Sequence, residues 1–371
     1  MSADVNATAS APATTGSGAI YVLCEARGDD FRPATYELLA VARGLAAAAA
    51  TSGAVAGGGT VALVAGSDVA QAARLEGLAD TVLTLTAPGL MPYTADPWVE
   101  ALGAVIGDRA PRAVLFGESG RTRELLPRLA ARLGAWGLSN CVDLKAAADG
   151  GAPAGGGDAS GGAGGSAASG GSGGDLQVRR PAYGGKAYVT NTVPADGLLL
   201  AAFRPHSFDA NAVPGGLVTV VEEVATPAGA SRVEVVARTE SGPRKADLTE
   251  AAVVVTGGRG MKGAENFGLL EDLAAALEGA VGYSRALVDA GLADHAYQVG
   301  KSGKTVSPTL YIACGVSGAI HHIMGMDTAK VVVAINTDPT APIFDYADYG
   351  VLGDCLQVLP ALTERVRAVT N

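Results

Sequence analysis

Short runs of apolar, often β-branched residues recur along this chain, each followed by a stretch whose apolar positions repeat every three or four residues. That alternation restricts the fold more than any other feature. Ala19–Cys24 (AIYVLC), Thr60–Ala65 (TVALVA), Thr81–Leu85 and Ala113–Gly117 read as strands, whereas Thr35–Ala50, Ser67–Leu78, Asp96–Ile106 and Arg121–Leu133 carry the helical period. A strand that is apolar on both faces must be covered on both, and helices of this length are the natural cover. The pattern therefore predicts a parallel sheet between helical layers. It repeats late in the chain, with strands at Ala251–Thr256, Gly282–Arg285, Thr309–Cys314 and Lys330–Ile335 and helices at Ala264–Ala280 and Gln357–Val369. The expected fold class is α/β in two domains, each a mostly parallel sheet flanked by helices. The second is doubly wound, an arrangement in which ligands gather at the carboxyl ends of the strands.

Three stretches break the pattern. Residues 1–18 are small and polar and read as a disordered tail, without the basic start and apolar centre of a secretory signal or the arginines of a mitochondrial presequence. Residues 149–175 are almost entirely Gly, Ala and Ser, too poor in apolar surface to offset the entropy of ordering, and read as a flexible insertion. Gln177–Ala187 and Gly197–Ala202 then look like strands returning to the first domain, so the insertion interrupts a loop and does not end that domain. The polar run 241–249 (SGPRKADLT) marks the better boundary. The expected division is 19–245 for the first domain and 246–371 for the second.

Charge and cysteine usage exclude several functions. A formal charge of −10 with no Lys/Arg cluster argues against nucleic acid or an anionic membrane as partner. The absence of eighteen consecutive apolar residues argues against membrane insertion. Cys24, Cys141, Cys314 and Cys355 form no C-x-x-C pair, so no structural zinc or disulfide framework is expected and the thiols read as reduced packing groups.

Three glycine-bearing segments carry what chemistry the sequence shows. Gly258-Arg259-Gly260-Met261-Lys262-Gly263 fits G-x-G-x-x-G between a strand and a helix, where amides can meet a pyrophosphate; in a chain with 52 glycines a ligand-free tight turn fits equally. The acid that would hold a nicotinamide ribose is not evident, because Glu278 falls within the helical pattern. The loop Gly300–Thr305 resembles a P-loop, but Gln298 stands where that motif needs Gly, which leaves a solvated turn or a ligand loop. Cys314–His322 (CGVSGAIHH) follows a strand directly, and its small residues allow backbone to approach a ligand. His321 and His322 diverge from a helix start and lack a third ligand, so no metal site is expected, and Ser317 lacks the nucleophile elbow.

Taken together, GGRGMKGAENF, GYSRALVDAG, QVGKSGKTVSP, LYIACGVSGAIHHIMGM, AINTDPTAPIFDYADYG and VLGDCLQVLP, in that order from Gly257 to Pro360, closely resemble the C-terminal domain of electron-transfer flavoprotein α subunits, a group that includes nitrogen-fixation-linked homologues. The first half resembles the family more loosely, through GESGRTRELLPRLAARLG. The resemblance implies a Rossmann-like FAD-binding second domain in which FAD is contacted by Arg259, by Ser284, by Val299, Gly300, Lys301 and Ser302, by Ser317, Gly318, Ala319, Ile320, His321 and His322, and by Asn336, Asp354 and its neighbour Cys355. Arg285 would lie by the isoalloxazine, His322 near its pyrimidine ring and Ser302 towards N5, favouring negative charge on the reduced ring. Asn336 and Asp354 would hold the adenosine half. Lys301, Ser302 and His321 stand where the family commonly has Gln, Thr and Gln. The added positive charge of Lys301 and His321 would raise the flavin's potential.

The function so implied is electron carriage without substrate turnover, as the α subunit of a heterodimer with an electron-transfer flavoprotein β subunit. Flavin dehydrogenases such as acyl-CoA dehydrogenases, as in fatty-acid β-oxidation, would be donors and a quinone-linked oxidoreductase the acceptor. An electron-bifurcating NADH-dependent form and a nicotinamide-dependent dehydrogenase are the alternatives, with a cofactor-free interaction module a third. Location in the bacterial cytoplasm is expected, or the mitochondrial matrix for a processed eukaryotic form.

Overall fold

The computed structural model describes residues 18–52, 58–147, 174–183, 187–210, 217–227, 229–237 and 247–370. The tail, the glycine-rich stretch and the start of the polar run at 241 lie, except at their margins, outside the described residues.

Residues 20–225 build a seven-stranded parallel sheet in the order Val220–Ala225, Thr81–Thr86, Thr60–Ala65, Ile20–Leu23, Ala113–Gly117, Leu199–Phe203, Trp136–Cys141. Its inner strands are buried on both faces, as their unbroken apolar runs require, and the helices Pro33–Ser52, Ala95–Arg109 and Gly120–Leu133 flank it. Two clusters form the core, one on each face, centred on Val22, Leu39 and Leu115 and on Tyr21, Leu83 and Phe116. The Gly120–Leu133 helix is set by a reciprocal cap, Ser119 accepting from the Thr122 amide and the Thr122 hydroxyl oxygen accepting from that of Ser119.

A second sheet holds six parallel strands in the order Gln298–Val299, Ala280–Ser284, Val253–Gly257, Leu310–Cys314, Val331–Asn336, Tyr349–Leu352. The chain runs outward from Val253–Gly257 in one direction and then starts again beside it, the strand order of a dinucleotide-binding domain. The register aligns the strand ends, Gly257 opposite Cys314 and Asn336 opposite Leu352, so one carboxyl edge collects the residues that follow. Polar contacts tie the two sheets' surroundings together: Arg27 and Arg32 reach the buried Glu250, and Arg204 Nη1 donates to Thr328 at 2.7 Å.

Several elements differ from expectation. Gly66–Leu75 is a 3₁₀ helix, consistent with its apolar residues Val69, Ala72 and Leu75 lying three apart. Gln177–Ala187 is not one strand of the main sheet but part of an antiparallel sheet of Asp143–Ala146, Leu176–Ala182 and Ala187–Val193. Trp136–Cys141, Val220–Ala225 and Tyr349–Leu352 were not anticipated as strands. Each lies at a sheet edge with one paired side, which frees it from the apolar run that marks a buried strand.

Candidate functional site

Doubly wound sheets bind ligands where the strand order reverses, and this chain has two such points. The first, between Ile20–Leu23 and Ala113–Gly117, is filled by the protein itself. Arg121 pairs there with Asp68 at 2.7 Å and Glu25 at 3.5 Å, its guanidinium 4.6 Å from the Trp98 ring centroid and 5.2 Å from that of Tyr93. Asp68 and Glu25 are buried, so the guanidinium is held by carboxylates with little competition from water.

The second point, between Val253–Gly257 and Leu310–Cys314, opens into a cavity of about 470 Å³. Of the residues singled out from sequence, Arg259, Ser284, Arg285, Val299, Gly300, Ser302, Ser317, Ala319, His321, His322 and Asn336 line it. Lys301 does not; its side chain is exposed, and only its amide reaches inward, to the His321 carbonyl at 2.7 Å. Gly318 and Ile320 lie just outside, Gly318 at φ +82° against Ile343. Asp354 caps the Cys355–Thr370 helix through the Leu356 amide and pairs with Lys262 at 2.8 Å, which holds its carboxyl below the usual range. Cys355 packs beneath the glycine turn, its thiol 3.3 Å from the Gly260 carbonyl.

Sequence reasoning missed Gln298, Asp289, Asp338, Ala341 and Pro342 in the lining. Gln298 was visible as the residue that spoils a P-loop match; it is buried, and its amide donates to Ser302 Oγ at 2.9 Å. Asp289 pairs with Arg285 at 3.1 Å one helical turn away, on the exposed mouth of the cavity, where such a pair is worth little.

The glycine turns behave differently from their motif. Gly258, Gly260, Met261, Lys262 and Gly263 all donate their amides to neighbouring carbonyls, the first two to Cys314 and Gly315 at 2.9 and 3.0 Å. The G-x-G-x-x-G turn thus has only the Arg259 amide left unbonded among the described residues, too little to cradle a pyrophosphate alone. Its glycines serve close packing instead: a Cβ on Gly258 would sit 2.3 Å from the Gly315 carbonyl oxygen, and Gly315 is itself at φ +63°. The amides from Ser317 to His321, by contrast, donate to nothing among the described residues.

Two buried polar atoms in the lining are also unpartnered among the described residues, Ser284 Oγ and His322 Nδ1. His322 Nε2 lies 2.8 Å from the Tyr311 hydroxyl. Burial, partly opposed by the Val299 carbonyl, holds the imidazole's pKa down to about 4, so it is neutral at pH 7. A site with spare donors and no acidic cluster suits an anionic, hydrogen-bond-accepting ligand.

Comparison with known proteins decides which. Residues 20–241 match the electron transfer flavoprotein domain and residues 247–327 the electron transfer flavoprotein FAD-binding domain. The electron transfer flavoprotein subunit alpha of Bacillus subtilis is 36% identical over 353 residues, spanning 94% of this chain and 97% of that protein. The chain belongs to the electron transfer flavoprotein α-subunit family. Protein FixB of Clostridium saccharobutylicum is 34% identical over 354 residues, covering 95% of this chain and 97% of the relative. The mitochondrial α subunit of Arabidopsis thaliana is 32% identical over 352 residues, covering 93% and 88%. The α-subunit match over 247–327 is to an FAD-binding domain, so the cofactor is FAD, and the residues present fit it. The unpartnered Ser284 Oγ and His322 Nδ1 are two groups that an FAD lying in the cavity would satisfy, and the free amides from Ser317 onward suit a diphosphate. No helix among the described residues is long and apolar enough to cross a membrane.

Proposed function

We propose that this α-family chain is the FAD-carrying half of a heterodimeric electron carrier, paired with an electron-transfer flavoprotein β subunit. Flavin dehydrogenases such as acyl-CoA dehydrogenases reduce it, and a quinone-linked oxidoreductase or other acceptor oxidises it. It turns over no substrate of its own. The observation that carries this reading is the second switch point: an open cavity with unpartnered buried donors and spare amides, on a chain whose first switch point is closed by Arg121.

Bound there, FAD supplies reversible one- and two-electron chemistry. The chain's part is to hold and bias it. Ser284 Oγ and the amides of 317–321 are free to bind, and Gln298 orients Ser302 Oγ. Arg259, without a carboxylate partner among the described residues, and Arg285 bring positive charge to the cavity. Asn336 Nδ2 donates to the Val316 carbonyl at 2.9 Å and so holds the adenosine side of the turn in place. Asp354 and Cys355 act from behind the wall in this reading, through Lys262 and Gly260. His322 contributes a neutral ring, not a cation. A nicotinamide-dependent dehydrogenase would need the Gly258 turn amides, and all of these but that of Arg259 are already bonded. We place the heterodimer in the bacterial cytoplasm.

The test is reconstitution with the β subunit and FAD, followed by rapid mixing with an acyl-CoA dehydrogenase and its substrate. Bleaching of the flavin band and its recovery with a quinone-linked acceptor support the reading. No bleaching with any flavin dehydrogenase, or turnover of a small substrate with NAD, contradicts it. One FAD per heterodimer separates the simple carrier from the bifurcating form, which carries a second.

A further inference from the structure

Tyr311 lies in the middle of the second sheet, fully buried in an apolar cluster with Val254, Val332 and Ile343. A phenol in such a place keeps its hydroxyl only if it has a hydrogen-bond partner. The partner is His322 Nε2, at 2.8 Å. Burial raises the Tyr311 pKa, an effect that the Thr256 hydroxyl beside it opposes, so the phenol stays protonated. Thr256 Oγ1 is itself buried and has no hydrogen-bond partner among the described residues, so His322 is the one observed partner of the phenol.

The protons along this line can be placed by elimination. Were Nε2 to carry the imidazole proton, the phenol oxygen would accept from Nε2 and its own proton would face apolar side chains. An unmet buried donor costs about 1–3 kcal/mol. If instead the phenol donates to Nε2, that proton is used. The imidazole proton then resides on Nδ1, the ring nitrogen without a partner at hydrogen-bond geometry, beside the cavity and with the Val299 carbonyl as the competing acceptor near the ring.

We propose that Tyr311 is a positioning residue that fixes His322 as its Nδ1–H tautomer, making it a hydrogen-bond donor to a carbonyl or ring-nitrogen acceptor of the bound ligand. This rests on the flavin reading for the ligand, whereas the tautomer follows from the protein alone. A donor that bears no charge holds an acceptor in both its oxidised and reduced forms, while the arginines respond to charge.

The experiment is ¹⁵N NMR of the histidine-labelled heterodimer, without and with FAD, the His322 signals being identified by their loss in His322→Gln. The expected result is a protonated Nδ1 and an accepting Nε2 in the wild type, with the Nδ1–H resonance shifting when FAD binds. Tyr311→Phe removes the donor to Nε2, so the Nε2 resonance should lose its hydrogen-bonded shift and FAD retention should weaken roughly five- to tenfold, the worth of one neutral hydrogen bond. A protonated Nε2 in the wild type, or an unchanged Nε2 resonance in Tyr311→Phe, overturns the proposal; the wild-type spectrum decides even if that variant fails to fold. A changed Nε2 resonance with unchanged FAD retention overturns the ligand-facing half. A heterodimer that shows Nδ1–H and binds no FAD keeps the tautomer relay and sinks the flavin reading.

Discussion

Replacing Gly315 by Ala tests whether the second switch point is built on backbone contact. Gly315 is at φ +63°, and a Cβ there would lie 2.5 Å from Gly260 Cα and 2.9 Å from the Gly260 carbonyl carbon. Both neighbours are backbone, so no rotamer change relieves the clash. The left-handed conformation costs an L-residue about 1–2 kcal/mol, and overpacking adds about 1–3 kcal/mol. The sum, about 2–5 kcal/mol, is a large share of the 5–15 kcal/mol typical of a folded domain. Gly291 supplies the control: it is at φ +70° with nothing within 4 Å, so Gly291→Ala incurs the conformational cost without the clash. In the reconstituted heterodimer, thermal release of FAD followed by flavin fluorescence should fall by about 5–15 °C for Gly315→Ala and by a few degrees for Gly291→Ala. Equal shifts for the two variants would show that the approach of the two glycine turns does not hold the site.

Arg121→Leu strands Asp68 and leaves Glu25 with Arg32 alone, and should cost about 3 kcal/mol in the first domain, lowering its melting transition while leaving the flavin spectrum unchanged; an unmoved transition would mean the plug is not structural. Arg285→Gln should lower the first one-electron potential in a redox titration, since positive charge at the cavity favours the reduced ring. Lys301→Gln should leave that potential unchanged, because the side chain lies outside the cavity in water, and a drop matching that of Arg285→Gln would restore a direct role for Lys301. His322 adds a pH dependence. Its folded pKa is depressed from 6.5 to about 4, so the unfolded chain takes up the proton first. Its contribution is complete above pH 6.5 and is lost as pH falls towards 4, by up to about 3 kcal/mol. Urea titrations of the second domain across that range should show this loss in the wild type and not in His322→Gln.

Much of the fold could be read from the chain because its inner strands are buried on both faces and announce themselves as apolar runs, Thr60–Ala65 and Val253–Gly257 among them. The edge strands were illegible for the converse reason. Val220–Ala225 alternates half-buried and exposed positions and carries Glu222 and Glu223, so composition did not separate it from a loop. The cavity wall was legible where glycines and hydroxyls cluster after a strand, as from Gly315 to His322. It was not legible where the contribution is geometric: no local pattern says that the Gly258 turn spends most of its amides on its neighbours, or that His322 is held by a tyrosine eleven residues before it. Lys301 and Asp354 show a different limit. Their positions in the family blocks pointed to ligand contact, while their side chains turn to water and to Lys262 respectively.

The most direct measurement is photolabelling of the reconstituted heterodimer with an azido derivative of FAD, followed by peptide mapping. Label on peptides spanning Ser284–Ser302 or Gly315–His322, displaced by excess FAD, is the predicted outcome. Displaceable label confined to the first domain, around Arg121 and Glu25, would contradict the assignment of the cofactor to the carboxyl edge of the second sheet.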